Sequence, residues 1–145
     1  MAGTTTNPIF VKDGQYLSFV TESAVTLGQL VELTSSGTVQ TATVADGTNV
    51  IIGVAVSARR ASRTQTDDSV AAGEYVTVCT RGVVNVLADT TAILVGSLLE
   101  ASATGGSVAL AGTAGTAGNI ADSIGMALEA NGGAAITIKA LLMRG

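Results

Sequence analysis

Four short blocks occur twice in this chain in the same order, and that repetition limits the folds open to it. Gly28-Gln29-Leu30-Val31-Glu32 matches Gly96-Ser97-Leu98-Leu99-Glu100, and Gly37-Thr38-Val39 matches Gly106-Ser107-Val108. Ile52-Gly53-Val54-Ala55-Val56 matches Ile124-Gly125-Met126-Ala127-Leu128, and Val76-Thr77-Val78 matches Ile136-Thr137-Ile138. The offsets are 68, 69, 72 and 60 residues. The reading is one framework built from two similar halves, residues 24–86 and 92–142, inside a single domain over 24–145.

The middle of that framework is the run 50–56, Val-Ile-Ile-Gly-Val-Ala-Val. It is too short to span a membrane and has no helical period. β-Branched residues on both sides of one glycine predict a strand buried on both faces. Short strands separated by turns surround it: 25–27, 30–33, 38–42, 74–80, 82–86, 92–94, 97–101, 107–110 and 136–142. Ser35-Ser36-Gly37, Asp46-Gly47 and Arg81-Gly82 are the breaks. Residues 122–130 could instead form a short helix; the repeat favours a strand at their centre. The fold class expected is all-β, a small closed or nearly closed barrel, since closure removes exposed strand edges.

Residues 1–23 stand apart as an arm and first strand. Asn7 before Pro8 is pushed toward extended geometry, and Pro8, Ile9, Phe10 and Val11 form an apolar patch with no local partner. Three of the four aromatic residues, Phe10, Tyr16 and Phe19, fall within this stretch. Two readings stay open: a strand that completes the core, or an arm that docks on a neighbouring chain.

The halves differ in their loops. Gly53 to Val76 spans 23 residues against 11 from Gly125 to Ile136, so the first half carries 12 more, the length of segment 57–68. That segment holds Arg59, Arg60 and Arg63, the only basic cluster, followed by Asp67 and Asp68. The second half has its extra length at 111–119, AGTAGTAGN. Insertions on a shared framework map to loops, where function concentrates.

The composition leaves little room for catalysis. There is no His and one Cys, so Ser-His and Cys-His machinery and Cys/His zinc sites are absent. Cys79 lies in an apolar strand and reads as a small core residue. No phosphate-loop or EF-hand spacing occurs. A net charge of −4 argues against nucleic acid bound through a positive field, and no aromatic residues are interleaved with the arginines for stacking. No run of 18 apolar residues suggests a membrane span, and the N-terminus lacks the features of a secretory signal. Yet the hydrophobic share is 47%, with charged residues at 12%. Either other subunits cover part of that apolar surface, which is the reading preferred, or Ala and Val simply inflate the hydrophobic share.

The series G-x-L-V-E-L (28–33), G-x-V (37–39), I-I-G-V-A-V (51–56), A-G-E-Y-V-T-V (72–78), R-G-V-V-N-V (81–86), I-G-M-A-L (124–128) and I-T-I (136–138) resembles the capsid decoration, or cement, proteins of tailed bacteriophages and related viruses. The resemblance implies a β-tulip-like barrel, a homotrimer, and a place on the outer capsid surface after synthesis in the host cytoplasm. Its partner would be the major capsid protein, with neighbouring capsomers bridged and the shell braced against packaged DNA. It implies no catalytic residue, no cofactor and no metal. The N-terminal arm (Pro8, Ile9, Phe10, Val11) and the loop arginines (Arg59, Arg60, Arg63) are the candidate partner contacts, and the arginine loop departs from the family pattern. Another virion subunit, a tail component or a surface adhesin are the alternative readings.

Overall fold

The computed structural model describes residues 14–42, 50–58, 68–111 and 123–143. All elements in these residues are strands. In the first half they are β1 (Gln15–Val20), β2 (Val25–Thr26), β3 (Leu30–Leu33), β4 (Val39–Thr41), β5 (Val50–Ala58) and β6 (Ser69–Val70). Then come β7 (Tyr75–Leu87), β8 (Leu98–Ala101), β9 (Val108–Leu110), β10 (Gly125–Ala127) and β11 (Thr137–Leu142). The main sheet runs β4-β3-β5-β7-β11-β10-β8-β9, with β1 also on β7, while β2 and β6 pair separately. The protein is all-β, and its sheet curls into a small barrel.

The order is a palindrome about the junction of β7 and β11, and matched strands pair in matched registers. Val31 faces Gly53 across β3 and β5, as Leu99 faces Gly125 across β8 and β10. Glu32 faces Gln40 as Glu100 faces Ala109. Val54 faces Cys79 as Met126 faces Leu141. Leu17 faces Val78 as Val84 faces Ala140. Each half also curls on itself in the same way, through isolated parallel bridges Thr21↔Val39 and Ala88↔Val108. There the N–H groups of Glu22 and Asp89 donate to the carbonyls of Val39 (2.7 Å) and Val108 (2.9 Å).

β7 therefore serves twice. Its residues 75–81 pair with β1 and residues 82–87 with β11, so it is the last strand of one half and the first of the next. Counted by register, the halves run from 15 to 80 and from 82 to 142. Arg81-Gly82, expected as a break, lies inside one 13-residue strand. Gly82 takes φ +116° there, which lets the strand turn from one partner to the other without leaving the ladder.

The fourth sequence block also needs correction, because the registers make Val76 the counterpart of Ile138 rather than Ile136. The preceding turns do keep the offset of 60: Glu74 N–H donates to the Ala71 carbonyl as Ala134 N–H donates to that of Asn131. Two further residues then enter the second half before its strand. A slip of two leaves every side chain on its face, so the alternation could not reveal it. Residues 92–94 form no strand, and the centre of 122–130 is the strand β10 rather than a helix.

Two apolar clusters follow from alternation. Val31, Val39, Ala55, Val70, Val76 and Val78 fill the first half, with Phe19 and Leu33 against them. The second cluster joins the inner face of the second half (Val84, Val86, Leu99, Ala127, Ile138) to the opposite face of the first half's sheet (Leu30, Ile51, Val54, Cys79). Val54 and Ala55 are thus buried on opposite sides, and the run 50–56 is two-sided as its composition predicts. Gly53 and Gly125 are needed for a shared reason. A Cβ at Gly53 would collide with the Cys79 carbonyl, and one at Gly125 with the Leu141 carbonyl.

Candidate functional site

The structure offers no catalytic arrangement among its described residues. Among these residues, no group of three or more His, Cys, Asp or Glu side chains is placed to hold a metal ion. Cys79 is fully buried, and its thiol donates to the Arg81 carbonyl at 3.3 Å. Burial pushes that thiol above its ordinary value, which disfavours the nucleophilic thiolate.

The densest polar group is a structural joint. Asn131, 3% exposed, accepts from the N–H groups of Ile93 (2.9 Å) and Gly133 (3.0 Å) through Oδ1. Its Nδ2 donates to the carbonyls of Asp89 (2.9 Å) and Thr91 (2.7 Å). The Asp89 carboxylate accepts from Ser102 Oγ at 2.5 Å, and from Thr91 Oγ1 and N–H at 2.6 and 2.8 Å. Burial alone would raise the Asp89 carboxyl, but these bonds outweigh it and hold it below the ordinary carboxylate value. Every polar atom of the Asn131 side chain is satisfied within the protein, so the joint holds strand ends together and presents nothing to a ligand.

What remains is surface able to meet another protein. Ladder pairs align Leu98, Met126, Leu141 and Val83 in one row across β8, β10, β11 and β7, on the face opposite the core. Each is half-buried. Elsewhere Leu17, Tyr75, Leu94 and Val95 are 55–68% exposed. At the Val83 end the row borders an open groove of about 620 Å³ between the halves, walled by Tyr16, Leu27 and Val56 on one side and Val83, Asn85 and Thr137 on the other. Among the described residues, its one charged lining residue is Asp68.

The sequence-predicted contacts Pro8, Ile9, Phe10, Val11, Arg59, Arg60 and Arg63 all lie outside the described residues. The row Leu98–Met126–Leu141 was missed. Its signal was present in the adjacent apolar pairs Leu98-Leu99 and Leu141-Leu142, which make both faces of a strand apolar.

Comparison with known proteins identifies a structural family. Among curated proteins, none matches the sequence. The fold is similar to that of the head fibre gp8.5 N base of bacteriophage phi29, with a TM-score of 0.50 and 14% identity over 91% of this chain and 96% of that one. A family profile described as structural cement protein (E217 gp24/Pam3 gp6) matches residues 3–139. With a match over nearly its whole length and an all-β frame free of catalytic groups among its described residues, the chain belongs to the phage structural cement protein family.

Proposed function

We propose that the protein binds the outer surface of an icosahedral capsid as a homotrimer, bridges the major capsid protein of neighbouring capsomers, and braces the shell against packaged DNA. Family membership makes it a structural component of a phage virion, and the match over residues 3–139 is the observation that carries the reading. Physical features support it. Half-buried apolar rows on a rigid sheet suit protein contact, and many weak contacts repeated over a lattice give strong attachment through avidity. The arm residues Pro8, Ile9, Phe10 and Val11 are the proposed capsid contact by strand addition, with Arg59, Arg60 and Arg63 as a salt-sensitive second contact.

The test is addition of purified protein to capsids stripped of it, with occupancy and shell rupture temperature measured. Full-length protein should occupy the shell and raise that temperature. Deleting residues 1–12 should lower occupancy while the β circular dichroism is kept; unchanged occupancy would remove the arm from the mechanism. A second reading, a base that seats another virion component, is favoured by the likeness to a head fibre base. Occupancy without any gain in shell stability would select it.

A further inference from the structure

We propose that the outer face of the second half's sheet, centred on Met126, is a self-association surface that receives the first half of a second copy of this chain, head to tail. This rests on the reading that the protein works as an assembly of its own copies, and it names where the copies meet. The argument comes from the two halves. By register, Leu98, Met126 and Leu141 are the counterparts of Leu30, Val54 and Cys79. Those three first-half residues are each 0% exposed. The second half buries them, since they form one cluster with Val84, Leu99 and Ile138 of its inner face.

The converse holds on the other side. Val84 is 3% exposed, whereas its register counterpart Leu17 is 55% exposed. Inside the chain, then, the outer face of one half sits on the inner side of the next. Among the described residues, two surfaces of the same apolar kind are left over: the outer face of the second half and the Leu17 edge of the first. A second copy supplies what each lacks and continues the joint already present within the chain. Charge does not select another partner at this face, because Lys139 at its rim pairs with Glu129 at 3.7 Å. Such a contact is heterologous, and it ends only when a ring of copies closes.

Light scattering on the full chain tests this. The wild type should exceed its single-chain mass of 14.3 kDa. Met126→Glu and Leu17→Glu should each fall to single-chain mass while keeping a cooperative melt. Mixing the two variants should restore a dimer, because each retains the surface the other has lost. Should Met126→Glu fail to fold, Met126→Gln should weaken association about ten-fold or more. A single-chain wild type, variants of unchanged mass, or no rescue on mixing would overturn the inference. Capsid occupancy separates the two readings. A single-chain wild type that still occupies capsids overturns this inference and the trimeric part of the proposed function while leaving capsid binding intact, and an assembled wild type that ignores capsids overturns capsid binding while leaving this inference intact.

Discussion

Asn131→Ala removes four hydrogen bonds at one stroke, and the cost can be worked bond by bond. The Ile93 N–H loses its partner in a setting where the residue is 1% exposed, which costs about 1–3 kcal/mol. The carbonyls of Asp89 and Thr91 are half-buried and regain part of their bonding from water, at about 0.5 kcal/mol each. Gly133 is exposed, and its N–H turns to solvent at little cost. The sum is about 3 kcal/mol. With an unfolding entropy near 2.1 cal/mol/K per residue, a chain of 145 residues has about 0.3 kcal/mol/K, so the melting temperature should drop by about 10 °C. Asn131→Asp separates hydrogen bonding from packing. It keeps both acceptor roles but sets a carboxylate against two carbonyl oxygens, which raises its folded pKa. Its deficit should therefore be largest at neutral pH and shrink as pH falls and the group protonates, whereas the alanine deficit should not move in that way. Melts of the three proteins at one concentration, with hydrogen exchange of the Ile93 amide, measure both effects. A loss under about 1 kcal/mol, with Ile93 still protected, would refute the assignment of Asn131 as the joint of the second half.

Gly53→Ala and Gly125→Ala should each destabilise by about 2 kcal/mol or more, because the new methyl meets backbone carbonyl rather than a yielding side chain; urea midpoints equal to wild type would contradict the shared packing role. Asp89 is held below its ordinary value, so its contribution is present above the unfolded pKa near 3.9 and is lost as pH falls through the lower folded value. Ser102→Ala removes the bond to Asp89 Oδ2 and should flatten the acid limb of stability between about pH 2 and 5, with a smaller change in slope near pH 7. Equal acid limbs would assign the low pKa to another cause.

Most of the frame could be read from the chain because its information is local and repeated. Gly53 and Gly125 sit at the same point of two matching blocks, and the structure gives both the same neighbour, a carbonyl one strand away. Val31, Val76 and Val78 lie in segments expected as strands, and all three are buried in the first half's cluster. What alternation cannot report is registration in steps of two, hence the misplaced counterpart of Val76. Nor can a dipeptide such as Arg81-Gly82 say whether a strand stops or changes partner, since the deciding pairs with Gln15 and Leu142 are remote in sequence. Asn131 followed by two glycines reads as a plain turn, and its staple is invisible because Ile93 lies 38 positions away. The apolar row around Met126 was hidden for another reason: a half-exposed apolar residue looks like a core residue until its layer partner is found missing.

β7 has one further consequence. Tandem repeats are ordinarily strung on a linker, whose freedom lets one unit open while its neighbour stays folded. Here the tether is itself a strand of both units, hydrogen-bonded to β1 at one end and to β11 at the other. Opening either half frays the strand that continues into the other and uncovers the apolar cluster the two share, so the halves should melt as one cooperative body. A tug on either half passes along a continuous backbone into the other half's sheet, with no hinge between them to absorb it.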